Sequence, residues 1–247
     1  MKGILILLCL LVVVVILFVI PYLSLYNYIY EGCGKNKKMS KKTMEQFLDM
    51  VIKTKKLYTK EYKTIIIPFR FGDTPGLINM ATSIPKAPIL FKPVWGYHFA
   101  RNSEVFSIAF MHSVGHELGH WTDIKNGAKF NKRPKEEKEF FLWVREIRND
   151  FEGISILERC CPNISRNQII NAIECKANAP VIDLKPKKKK EKLTKLGNSY
   201  RDHPEWDFRL QIIRSGHFNK DVIKQIADKA NCKNTNYVQK IIKMYFI

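Results

Sequence analysis

Gly115-His-Glu-Leu-Gly-His-Trp-Thr-Asp123 lies near the middle of the chain and decides how the rest is read. On a helix, side chains four residues apart share a face, so His116 and His120 can offer imidazole nitrogens to one ion while Glu117 stands beside the first of them. Catalytic zinc takes three protein ligands and keeps a fourth position for water, whose pKa it lowers; a neighbouring glutamate can take that proton and return it to a leaving amine. The pattern is short, and a polar helix face with ordinary histidines spells it too. A third ligand separates the two readings.

One extension of the pattern needs glycine and histidine downstream, but Asp123 and Asn126 occupy those positions. The other needs a glutamate on a following helix, with a second acid four residues later. Phe140, Leu142, Trp143, Ile147, Phe151, Ile154 and Leu157 recur at helical spacing and predict a helix from Glu136 to Arg159. Within it stands Glu146-Ile-Arg-Asn-Asp150. Glu146 and Asp150 share a face, so Glu146 can bind metal while Asp150 accepts the remaining ring N–H of His116. A solvated acidic stripe is the plain alternative, and Glu152 the substitute ligand, although it has no acid four residues on. His112 extends the first face by one turn with no glutamate after it, which makes it a structural or supporting histidine.

With both motifs in order, the chain resembles the gluzincin metallopeptidases. That resemblance implies His116, His120 and Glu146 as Zn2+ ligands, Glu117 as general base, and an upstream edge strand that pairs with an extended substrate, for which Ala87 to Val94 is the candidate. The string H-E-L-G-H-W-T is also similar to zincin-like domains of antirestriction proteins. His203-Pro204-x-x-x-x-Arg209 resembles an element of membrane-bound metallopeptidases of the heat-shock and prenyl-protein-processing type. His203 can stabilise an oxyanion; it can equally be a residue ahead of a helix whose N1 position is Pro204.

The other segments place this site in a larger frame. Gly3 to Ile20 carries no charged residue, ends at Pro21 and is followed by Tyr22, Tyr26, Tyr28 and Tyr30, which predicts a transmembrane anchor over residues 1–30. Lys35 to Lys42 is a basic tether over 31–42 that could also contact anionic lipid. By the positive-inside rule, the single-pass protein holds its bulk in the cytoplasm, with the extracytoplasmic side as the alternative. Residues 43–180 form the expected catalytic domain, 181–200 a basic linker around Lys185 to Lys195, and 201–247 a C-terminal helical part. Helical patterns begin at Ser40, Ser103 and Ser165, and recur at Pro204 to Ser215, Asp221 to Ala230 and Tyr237 to Phe246. Strands are expected at Thr64 to Phe71 and at Ala87 to Val94.

The net charge of +19 over 247 residues predicts attraction to anionic partners without choosing among them. Six cysteines include no C-x-x-C pair, and free thiols are favoured over a bridge among Cys160, Cys161, Cys175 and Cys232. The expected fold class is thus α+β: one transmembrane helix, then a helix-rich zincin-like domain with a small sheet. The expected function is a membrane-anchored zinc endopeptidase acting on protein or peptide. The alternative is a zincin-fold binding module of a mobile element that acts on nucleic acid or a partner protein without significant proteolysis.

Overall fold

The computed structural model describes residues 40–63, 69–71, 80–81, 89–91, 94–123, 133–179 and 203–246, together with residues 7, 11 and 12. Helix α1 (Lys41–Glu61) starts where Ser40 accepts the Thr43 amide on its side-chain oxygen, satisfying a donor the first turn leaves open. Its Met44, Phe47, Leu48, Val51 and Tyr58 fall on one face and are buried. Strands β1 (Phe69–Phe71), β2 (Met80–Ala81) and β3 (Ile89–Phe91) follow, then α2 (Val94–Arg101), α3 (Ser103–Asp123) and α4 (Lys135–Cys160). Helix α5 (Arg166–Asn178) carries a capping box, Ser165 with Gln168; α6 (Trp206–Arg214), α7 (Lys220–Lys229) and α8 (Thr235–Phe246) complete the described chain.

The domain is mostly α-helical, which corrects the α+β expectation. Strand order is β1-β3-β2, with β3 parallel to β1 and antiparallel to β2, and among the described residues no strand exceeds three residues. Pro68, Pro75, Pro85, Pro88 and Pro93 crowd this region, and each removes a ladder donor. Since β3 is the central one of the described strands, Ile89–Phe91 is not the sheet edge expected of the Ala87 to Val94 segment for substrate pairing; among the described strands β1 and β2 hold the edges.

The membrane expectation is corrected as well. Among the described residues no helix is long and apolar enough to cross a membrane. The longest helices carry charge: α3 contains Glu104, Glu117 and Asp123, and α4 is studded with lysine, arginine and acids. Of the stretch from Gly3 to Ile20 only Leu7, Leu11 and Val12 belong to the described residues, and the rest of that span lies outside them. The single-pass localisation and the orientation read from the flanking lysines therefore have no membrane-crossing helix among the described residues to rest on. The basic linker at 181–200 also lies outside the described residues. Cys160, Cys161, Cys175 and Cys232 are free.

Two apolar clusters meet along α4. Ile154, Ile156 and Leu157 from its C-terminal half join α1, β3, α2, α3 and α5 in one cluster. Phe140, Phe141, Val144 and Ile147 from its N-terminal half, with Phe151 just beyond its middle, join Ile212 of α6 and the inner faces of α7 and α8 in the other. Helix α4 crosses α3 at very short range. A Cβ placed on Gly115 would lie 2.8 Å from the Gly153 Cα and 2.6 Å from the Tyr58 hydroxyl. Glycine costs helix propensity at both positions, and the close approach is what it permits. Tyr58 fixes α1 to the same crossing by donating its hydroxyl to the Met111 carbonyl at 2.8 Å.

Candidate metal centre

The close crossing of α3 and α4 sets their polar side chains against each other. His116, His120 and Glu146 bring one donor atom each to within 4.8 Å of one another. His116 Nε2 lies 3.2 Å from Glu146 Oε2, and His120 Nε2 lies 3.3 Å from Glu146 Oε1. Tetrahedral zinc with bonds of about 2.0–2.2 Å separates neighbouring donors by roughly 3.3–3.6 Å, so these spacings suit one shared ion. Glu146 Oε2 is buried and receives no well-aligned hydrogen bond, although imidazole nitrogens stand close by. The donor set therefore fits a divalent metal, and two imidazoles with one carboxylate suit zinc.

Behind the cluster, Asp150 is fully buried and accepts the His116 Nδ1–H at 2.9 Å. That bond leaves the Nε2 lone pair turned inward. Arg209 of α6 donates Nε to Asp150 Oδ2 at 2.8 Å and Nη2 to Oδ1 at 2.6 Å. Burial opposes ionisation of Asp150, but the Arg209 charge and the His116 bond hold its carboxyl well below the usual range. His112 is also buried, and its Nε2–H donates to the Asp150 carbonyl at 3.1 Å. It takes no place in the donor cluster. Burial pushes it down to about 3, so it is neutral.

His120 is held differently. The Asn149 amide lies 2.8 Å from His120 Nδ1, with Arg145 Nη2 at 3.5 Å. Asn149 itself is seated on Gly119, where an added Cβ would come 2.5 Å from its Oδ1. As placed, the Asn149 NH2 donates to Nδ1, which puts the neutral ring's proton on Nε2 and toward Glu146. Ligation through Nε2 requires the other tautomer; a half-turn of the amide would present Oδ1 to Nδ1–H, at the cost of the bond that Oδ1 now accepts from Arg148 Nη1 at 3.1 Å. Burial brings His120 down to about 3. Burial alone would also lower His116, but its contacts with Asp150 and Glu146 bring it up to about 9. Burial likewise works against the Glu146 charge, and the facing imidazoles overcome it, holding the carboxyl below its usual range.

His203 reaches the same carboxylate from the open side: its Nε2 is 3.3 Å from Glu146 Oε2, and its side chain is 39% exposed against 9% for Glu146. Both ends of the His203–Arg209 element thus meet the site, one on Glu146 and one on Asp150. Helix α6 begins at Trp206 with Glu205 as its cap, so Pro204 is not the N1 residue. Glu117 is buried beside His116, within the field of the Lys176 and Arg209 charges.

Lys176, Asn149 and Trp206 were not marked by the sequence patterns. Lys176 projects from α5 and is buried; its ammonium donates to Ser113 Oγ at 3.0 Å and lies 4.6 Å from the Trp206 ring centre. The Arg209 guanidinium stacks on the same ring at 3.9 Å. Burial, reinforced by Arg209, depresses Lys176 to about 8. Ser113 precedes Glu117 by one helical turn, so this cation sits along the face that carries the glutamate. A lone lysine in an ordinary amphipathic helix gives no signal for such a place.

No known protein family matches the chain, nor does any curated protein or solved structure. The functional reading therefore rests on the side chains themselves.

Proposed function

We propose that the chain is a zinc-dependent endopeptidase of gluzincin type, with His116, His120 and Glu146 as the metal ligands. The observation that carries this reading is the buried convergence of those three donors, with Asp150 bonded behind His116. When bound, zinc would supply Lewis acidity, acidifying a water and polarising a peptide carbonyl.

Each remaining task is assigned to a side chain of this protein. Asp150 fixes the His116 tautomer, and Arg209 keeps Asp150 ionised in a site that burial would otherwise neutralise. Glu117 is the general base: its carboxylate takes a proton from the attacking water and delivers it to the departing amine. Its burial excludes bulk water from that exchange. His203, the most exposed group of the cluster, donates Nε2–H to the substrate oxygen as negative charge develops there.

The test is Glu117→Gln. The variant is expected to keep its metal and to cleave an unstructured protein such as casein at least about a hundredfold more slowly, the range for loss of a general base. Cleavage at the wild-type rate contradicts the assignment.

A further inference from the structure

Helices α7 and α8 contribute no side chain to the metal centre, and their connection has a definite form. Helix α7 ends with the Ala230 amide donating to the Ile226 carbonyl at 2.9 Å. Asn231 then takes a left-handed backbone (φ 53°), and the Cys232 amide reaches back five residues to the Ala227 carbonyl at 2.9 Å. That pair of features closes a helix and turns the chain sharply. Cys232 is buried in the corner. Asn234 caps α8 by accepting the Tyr237 amide on Oδ1 at 3.1 Å. Only residues 230–234 separate the two helices.

Their inner faces are fixed. Val222, Ile223, Ile226 and Ala227 of α7 and Tyr237, Val238, Ile241 and Ile242 of α8 share a core with the phenylalanines of α4. The outer face of α8 shows Thr235, Asn236, Gln239, Lys240 and Lys243, all exposed. Helix α8 holds no aspartate or glutamate. From Lys220 to the C-terminus the chain has six lysines against Asp221 and Asp228, a net charge of +4.

We infer that α7 and α8 form a helix-turn-helix that binds duplex DNA, with α8 entering the major groove. Two helices joined by a tight turn over a third, supporting helix are the parts of that motif. A twelve-residue helix is about 18 Å long and about 10–12 Å across, which the major groove of B-DNA, about 12 Å wide, admits. Asn236 and Gln239 near its start carry amides that pair with adenine edges, and Lys240 and Lys243 meet guanine or phosphate. Helix α8 carries lysines and no acidic residue, so the charge of its outer face complements a phosphate backbone. Double-stranded RNA is disfavoured, because side chains cannot read its deep, narrow major groove.

The experiment uses the full chain and a fluorescent mixed-sequence duplex of about two helical turns, followed by anisotropy across a salt series. Wild type is expected to bind with log affinity falling linearly in log salt. The double variant Lys240→Glu/Lys243→Glu should bind roughly tenfold or more weakly, with a salt slope smaller by about two, and should keep its helical circular dichroism and metal content. Lys56→Glu/Lys60→Glu on α1, the same charge change elsewhere, should retain wild-type affinity. Equal loss in both doubles would reduce the binding to non-specific attraction by net charge and overturn the inference. So would absence of duplex binding, or tighter binding to RNA or to an acidic protein.

Discussion

Arg209 closes both sides of its guanidinium fork on the Asp150 carboxylate, at 2.8 and 2.6 Å, in a position where Asp150 has no solvent exposure. The pair ties α6 to α4 and ends one bond from the metal centre, because Asp150 also accepts the His116 N–H. Removing one partner of a buried ion pair leaves an uncompensated charge, which typically costs about 3–5 kcal/mol. Arg209→Met should therefore lower stability by an amount of that order in urea denaturation and weaken zinc binding in the same protein. Arg209→Lys should restore little, since an ammonium cannot reproduce the two-bond fork.

Asn149 is assigned the matching task for His120. Loss of a partner that orients a ligand histidine typically weakens metal binding about 10- to 100-fold. Asn149→Ala should do so in competition with a chromophoric chelator. Asn149→Asp, whose carboxylate can accept Nδ1–H, should restore affinity. Undiminished affinity in the alanine variant would mean that the amide does not set the tautomer.

The Gly115 contact gives a stability prediction independent of metal. In Gly115→Ala, a methyl would meet the Gly153 backbone at 2.8 Å. Backbone cannot swing aside as a flexible side chain can, so the helices must separate, at a cost of about 1–3 kcal/mol. A helix without this contact would instead gain stability from alanine. The sign of the change in urea midpoint decides between them.

Lys176 gives stability a pH dependence. Its folded pKa of about 8 lies below the ordinary 10.5 because burial disfavours the ammonium. Between those values the unfolded chain holds more protons than the folded one, so this contribution rises with pH across the window and is lost as pH falls through about 8. Lys176→Met removes it. The stability of wild type relative to this variant should improve by about 2 kcal/mol from pH 7 to pH 9.5. A constant difference would show that the amine titrates normally.

Much of the helical framework was legible because apolar residues at helical spacing report burial directly. The limits expected for α4 fall within a residue of those observed, α5 starts directly after Ser165, and His116, His120 and Glu146 converge. Asn149 and Lys176 were not legible, since their places depend on which residues two crossing helices bring opposite each other. Gly115 and Gly119 read only as poor helix formers until the crossing showed what sits against them. The turn at Asn231 gave no glycine signal, so α7 and α8 read as separate short helices rather than as a pair joined by a tight turn. The apolar run at the N-terminus satisfied a length-and-hydropathy rule, and no described helix bears it out.

The most direct test of the central claim is the zinc content of the purified full chain, compared with that of His116→Ala and Glu146→Ala after identical dialysis. The account predicts close to one equivalent of tightly held zinc in wild type and almost none in either variant, with helical circular dichroism retained. A metal-free wild type, or zinc that persists undiminished in both variants, would contradict it.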